Sequence, residues 1–231
     1  MHRPCVLIVD DDLAIIKFLR ANLKAEDYET LAAMDGVEAL QTIEKELPDL
    51  VILDIMLPKI DGFEVCRQLR EWSQMPIIML SARGDEEDKV KCLDLGADDY
   101  ITKPFGVGEL IARVKAVSRR TEAAAAILDQ PTFTSGDLKI NFAQRLVTVA
   151  GKEVKLTPTE YSLLQEFVLN AGKVLTHKYL LNKVWGPEYQ EEKEYLHTFV
   201  HRLHRKLEPD RTEPRYLVSV PGVGYQFKGN A

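Results

Sequence analysis

Four short apolar runs in the first half of the chain each end at a polar residue. Val6 to Val9 is followed by Asp10, Asp11 and Asp12, Val51 to Leu53 by Asp54, Ile77 to Leu80 by Ser81, and Tyr100 to Thr102 by Lys103. Unbroken apolar runs of this length, separated by stretches of helical periodicity, mark strands of a parallel sheet covered on both faces. The rhythm predicts strands near 5–9, 28–33, 50–54, 76–81 and 99–102, and helices near 13–25, 36–46, 61–72, 85–95 and 108–120. Right-handed crossovers then give an α/β domain, a doubly wound five-stranded parallel sheet over residues 1–120.

After Arg119 the pattern changes. The string RRTEAAAAILDQP has no sheet-facing alternation and closes on a proline, so 121–131 reads as a linker and 132–231 as a second, α+β domain. Alternating segments at 137–141, 145–150 and 153–156 predict a small antiparallel sheet. Thr157-Pro158-Thr159-Glu160 is a capping box with proline at the first helical position, ahead of an amphipathic stretch from Tyr161 to Asn170. Further helices are expected at about 177–185 and 192–207, and a hairpin from Tyr216 to Lys228 around Pro221-Gly222-Val223-Gly224.

A parallel sheet binds its ligands at the carboxyl ends of its strands. Asp10, Asp11 and Asp54 therefore converge with Ser81 and Lys103 at one edge. Crowded carboxylates repel one another, and Mg2+, which binds through one or two carboxylates while keeping several waters, relieves that repulsion. A lysine to pair with a phosphoryl oxygen and a hydroxyl to donate to another complete a site for phosphoryl transfer onto a carboxylate.

The helix at 192–207 separates into two faces. Leu196, Phe199, Val200, Leu203 and Leu207 recur at helical spacing and should pack inward. His197, His201 and Arg205 follow at four-residue steps, flanked by Thr198, Arg202 and Lys206, a polar cationic face suited to the major groove of DNA. His204 is rotated away from the other two histidines, which argues against a metal site there.

Charge separates the halves. Residues 1–120 carry 16 basic and 23 acidic side chains, net −7, whereas 121–231 carry 14 and 13. A nearly neutral domain with clustered cations can still bind nucleic acid. The three scattered cysteines, Cys5, Cys66 and Cys92, do not make a disulfide framework. No signal-peptide pattern and no apolar run near the ~20 residues of a membrane span is present, so a cytoplasmic protein without membrane partners is expected.

The strings VLIVDDD (6–12), VILDIMLPKIDG (51–62), PIIMLSA (76–82) and GADDYITKPF (96–105) resemble the flavodoxin-like receiver domain of two-component response regulators, and the second half resembles the winged-helix DNA-binding domain of the OmpR/PhoB class. The resemblance implies that Asp54 accepts a phosphoryl group from a sensor histidine kinase. It implies Mg2+ held by Asp11, Asp54 and the backbone carbonyl of Met56, with Asp10 acting through water. Asp12, outside that pocket, is placed as a helix N-cap. The family's Lys-Pro bond is cis and turns Lys103 into the pocket, while Ser81 and Tyr100 match its switch pair. Lys89, Asp98, Asp99, Glu109, Arg113 and Arg120 match its surface for dimerisation on phosphorylation, paired Lys89 to Glu109, Asp99 to Arg113 and Asp98 to Arg120 across a twofold axis. Double-stranded promoter DNA with tandem half-sites and RNA polymerase, at the loop 186–194, are the further partners implied.

LLNKVWGPEY (180–189) and the following YLH resemble the branch of this class that controls a high-affinity potassium-transport operon. Pro221 and Gln226 depart from the class pattern, standing where many relatives have arginine in the wing. Two other readings fit parts of the sequence: a phosphohydrolase of the haloacid-dehalogenase type using Asp10-x-Asp12, and a constitutive DNA-binding protein with a vestigial receiver.

Overall fold

The computed structural model describes residues 3–82, 86–122, 132–208 and 214–229. They form two compact units, Met1–Ser118 and Arg119–Ala231. In the first, β1 (Cys5–Val9), β2 (Glu29–Ala33), β3 (Leu50–Asp54), β4 (Ile77–Ser81) and β5 (Asp99–Thr102) make a sheet in the order β2-β1-β3-β4-β5. Every pairing in it is parallel. The helices between and after the strands are α1 (Leu13–Ala25), α2 (Gly36–Glu46), α3 (Gly62–Trp72), α4 (Glu86–Asp94) and α5 (Val107–Glu122).

The unbroken apolar runs have a simple cause: both faces of the sheet are buried. Leu7, Val9, Val51, Leu53, Ile77 and Met79 join one core with Ile43 of α2 and Val65 and Leu69 of α3. Their neighbours Val6, Ile8, Leu50, Ile52, Ile78 and Leu80 join the other with Leu19 of α1 and Leu110 and Val114 of α5. The chain winds outward from β1 in both directions, which opens a crevice beyond the carboxyl ends of β1 and β3. Asp10 and Asp54 lie at those two ends.

Side-chain caps fix where the helices begin. Asp12, Asp35 and Asp61 accept from the backbone N–H groups of Ala14, Glu38 and Glu64 respectively. α5 runs to Glu122, two residues into the expected linker, because nothing before the alanine run breaks it; the remainder, 123–131, lies outside the described residues.

The second unit opens with β6 (Thr132–Ser135), β7 (Leu138–Asn141), β8 (Leu146–Val149) and β9 (Lys152–Glu153), paired antiparallel in chain order. α6 (Pro158–Leu169), α7 (His177–Val184) and α8 (Lys193–Leu207) follow, with β10 (Val174–Thr176) before α7 and a short 3-10 turn at Pro187–Tyr189. β11 (Leu217–Val220) and β12 (Gly224–Phe227) form the closing hairpin, and β12 also pairs with β10. The capping box is present as expected, with Thr157 and Glu160 satisfying each other's backbone. β6 and β10 were not anticipated from sequence. Each is four residues or fewer and is defined by its partner strand rather than by its own pattern.

Gly62 connects this fold to the crevice. A Cβ there would lie 2.2 Å from the Asp54 carbonyl oxygen, so α3 can start against the end of β3 only with glycine at that position. Gly62→Ala is expected to cost about 1–3 kcal/mol of receiver stability through overpacking. Thermal unfolding checks this, and an unchanged melting temperature would refute it.

Candidate functional site

At the carboxyl edge of the sheet, one ligand oxygen from each of Asp10, Asp11 and Asp54 lies within 4.8 Å of the others. Asp10 and Asp54 are buried and Asp11 is exposed. Asp10 Oδ1 accepts from the Asp12 amide at 2.9 Å, and its Oδ2 accepts from Lys103 Nζ at 2.7 Å. The same ammonium stands 2.9 Å from Asp54 Oδ1. The Lys103–Pro104 peptide is cis.

Among the described residues one ammonium, that of Lys103, thus faces three carboxylates, and Asp54 registers the imbalance. Burial pushes its carboxyl up, Lys103 pulls it down, Asp10 and Asp11 push it up again, and the net shift is upward. Burial alone would lower the Lys103 ammonium, but hydrogen bonds to Asp10 and Asp54 outweigh this and hold it above its ordinary value, so it stays charged. Oxygen donors in excess of the available positive charge fit a hard divalent cation.

Ser81 ends β4 and is buried. Tyr100, two residues upstream of Thr102, which pairs with Ser81, is also buried. Burial raises the Tyr100 phenol, while hydrogen bonds to Ser81 and Thr102 act the other way. Ser81 and Tyr100 are therefore in contact, with the ring inside. Met56 lies just beyond β3 with its side chain exposed. Asp12 caps α1, so it does not form a two-carboxylate motif with Asp10.

The charged face around α4, β5 and α5 differs from expectation. Asp98 is fully buried, ion-paired to Arg70 of α3 at 3.1 Å and accepting from the Ile77 amide. It ties β4 to β5 and is not available to a partner's Arg120. Asp99 is also buried, and Arg113 reaches it at 2.9 Å within the same chain while also holding Glu109 at 2.9 Å. Lys89 is half-buried, and the side chain of Arg120 lies outside the described residues.

On α8 the six candidate DNA contacts divide evenly. His197, His201 and Arg205 are exposed. Arg202, only 4% exposed, turns inward: its Nε is 2.8 Å from Glu160 Oε1, and its guanidinium lies over the Phe199 ring. Lys206 Nζ donates to Glu160 Oε2 at 2.6 Å and to the Lys155 carbonyl at 2.9 Å, and Thr198 is buried. The expectation that Arg202, Lys206 and Thr198 face DNA is corrected: a buried Glu160 requires compensating charge from Arg202 and Lys206, and Thr198 is among the buried positions of α8. Burial raises its carboxyl, yet Arg202 and then Lys206 outweigh that and hold it below the usual range.

Two residues that sequence reasoning did not single out organise this unit. Glu208, buried just past α8, accepts from the amides of Arg215, Tyr216 and Leu217 and so fixes the start of β11. Tyr225 of β12 sets its hydroxyl 2.6 Å from His197 Nδ1. Neither residue has a local sequence signal: Glu208 reaches amides at 215–217 and Tyr225 an imidazole on another element, both outside the spacings of helix and strand periodicity. In the wing, Gln226 donates to the Gly172 carbonyl at 2.7 Å, whereas Pro221 is exposed at the turn.

Comparison with known proteins agrees with this division. Residues 6–115 match the response regulator receiver domain, and residues 151–227 match the family described as transcriptional regulatory protein, C terminal. The chain is 44% identical over 223 residues to the transcriptional regulatory protein KdpE of Mycobacterium tuberculosis, covering 96% of this chain and 98% of that one. It is also 44% identical over 222 residues to the KDP operon transcriptional regulatory protein KdpE of Escherichia coli, with the same coverage. Among solved structures it is similar to the Thermotoga maritima response regulator DrrB, an OmpR/PhoB homologue, with 33% identity, a TM-score of 0.52, and coverage of 99% of this chain and 100% of that one.

Because the folded-state carboxyl of Asp54 titrates above its unfolded value, its ionisation destabilises the receiver as pH rises through that interval. Asp54→Asn should therefore melt higher than the parent at pH 7 in EDTA, with the gain vanishing below about pH 4, where the unfolded carboxyl is also protonated. Calorimetry over pH decides it; a lower-melting Asp54→Asn at pH 7 would refute it. Glu160 has the opposite sign. Its depressed carboxyl stabilises above about pH 4.3 and loses that contribution as pH falls through the folded value. Glu160→Gln should cost about 3–5 kcal/mol at neutral pH, read from denaturant midpoints, and progressively less in acid.

Proposed function

Since this chain belongs to the OmpR/PhoB class of two-component response regulators, phosphorylation-dependent transcription regulators that act with a histidine kinase and promoter DNA, we propose that Asp54 is its phosphoacceptor and that the acidic pocket works with Mg2+. The observation that carries this reading is the convergence of Asp10, Asp11 and Asp54 within 4.8 Å, with a single lysine contacting two of them. A carboxylate oxygen of Asp54 attacks the phosphorus of the kinase phosphohistidine. The P–N bond breaks as the P–O bond forms, and the imidazole leaves on the kinase. Asp11, Asp54 and the Met56 carbonyl would hold Mg2+, with Asp10 acting through water, and the bound ion would supply positive charge to the phosphoryl oxygens. Lys103 pairs with one of those oxygens, and Ser81 donates to another as its contact with Tyr100 rearranges.

On the output side, the exposed stripe of His197, His201 and Arg205 supports placing α8 in the major groove, with two protomers on half-sites about one helical turn apart. Phosphorylation promotes homodimerisation through the α4–β5–α5 face, where the accessible carboxylate of Glu109 remains a candidate partner for Lys89. The segment 186–194, exposed at Pro187, Glu188 and Glu191, is the proposed contact with RNA polymerase. These partners support a cytoplasmic location. Its target is an operon of the kind named for the Escherichia coli relative.

Incubation with a small-molecule phosphodonor and Mg2+ should add the mass of one phosphoryl group. The addition should be lost in Asp54→Asn and in EDTA; retention in either refutes the assignment. Arg205→Ala should weaken binding by about 1–3 kcal/mol and relax preference at one base pair if it reads a guanine. Titrations on the cognate duplex and on single-base variants check this, and unchanged affinity and preference would contradict it.

A further inference from the structure

Tyr225 is a polar group anchored near the exposed face of α8. Its strand, β12, is the middle one of three, with Tyr225 opposite Leu175 on one side and Ser219 on the other. A Cβ at the preceding residue, Gly224, would lie 2.0 Å from the Leu175 carbonyl oxygen, so the strands approach closely there. The Tyr225 ring packs edge-on against Phe167, His177 and His197. Its hydroxyl is 2.6 Å from His197 Nδ1, and the His177 ring, 5.5 Å away centre to centre, closes another side of the imidazole.

We propose that Tyr225 positions His197 so that the imidazole presents a fixed Nε2–H donor to an acceptor atom of duplex DNA. The inference rests on the reading that α8 enters the major groove. It adds a wing-sheet residue to the recognition machinery as a positioning residue. Burial raises the Tyr225 phenol, so the hydroxyl keeps its proton at neutral pH. In the proposed arrangement a neutral imidazole accepts that proton's hydrogen bond at Nδ1 and carries its own hydrogen on Nε2. If the ring is protonated, Nδ1–H donates to the hydroxyl instead, and Nε2 still carries a hydrogen. The outward group is a donor in both states.

His201 and Arg205 follow His197 at four-residue steps on the same exposed stripe, so the fixed donor sits beside two further polar groups. A side chain already held in its bound orientation loses less conformational entropy on binding. The acceptor is either a purine edge atom, N7 or guanine O6, or a phosphate oxygen.

Nitrogen-15 NMR of the full-length protein should find His197 as the Nε2–H tautomer with Nδ1 accepting a hydrogen bond. An Nδ1–H tautomer would overturn the proposal without bearing on where α8 sits. In DNA titrations, Tyr225→Phe, which keeps the ring, should lose about three- to tenfold in affinity, the worth of one hydrogen bond. His197→Gln, whose amide nitrogen reaches the Nε2 position but which offers the Tyr225 hydroxyl no acceptor at the Nδ1 position, should fall about as far as Tyr225→Phe, whereas His197→Asn, which lacks the outward donor, should fall further. A purine contact predicts that the loss is confined to one base pair; a phosphate contact predicts the same loss on every sequence. Parent-like binding by Tyr225→Phe, alongside weakened Arg205→Ala, overturns the inference alone. Parent-like binding by Arg205→Ala overturns the placement of α8 and the inference with it.

Discussion

The receiver is organised by an unbalanced charge. Asp10, Asp11 and Asp54 meet at the carboxyl ends of two adjacent strands, and Lys103 is the ammonium that bridges two of them. Two of these carboxylates are buried, so solvent screens their repulsion poorly. The fold holds them there through contacts that leave little room to relax. Both faces of the sheet are closed by apolar cores, and α3 begins against the Asp54 carbonyl through a glycine. A pocket in this condition favours whatever brings positive charge, and that preference is its chemistry.

The second unit treats buried charge in the opposite way. Glu160 is as deeply enclosed as Asp54, but Arg202 and Lys206 both answer it. The result is structural: α6, α8 and the Lys155 carbonyl are joined at one point. α8 is thereby divided, with its inner cations holding the helix and its outer stripe left to meet a ligand. A buried carboxylate thus has two uses in one chain, and local compensation determines which.

Much of this was legible in the sequence because it depends on short-range pattern. Strands buried on both faces leave unbroken apolar runs, and ligand residues at strand ends follow immediately after them. The acidic pocket could be assembled from Asp10, Asp54, Ser81 and Lys103 on that basis. The capping role of Asp12 and the box at Thr157 and Glu160 are equally local. What could not be read is set by partners far apart in the chain. Arg202 and Lys206 each follow one residue after His201 and Arg205 and read as flanks of the same cationic face, and it is Glu160 on another helix that turns them inward. Asp98 and Asp99 read as surface charges until Arg70 and Arg113 close on them. Tyr225 carries no signal at all until β12 is seen beside α8.

The central claim is that phosphoryl transfer to the acidic pocket changes how the output domain engages DNA. Its most direct test is the affinity of the full-length protein for a duplex with two half-sites, measured by fluorescence anisotropy before and after treatment with a phosphodonor. The account predicts a tighter isotherm, with two protomers per duplex, only when phosphodonor and Mg2+ are both present. Superimposable isotherms under all conditions, for a protein whose mass confirms complete phosphorylation, would contradict it.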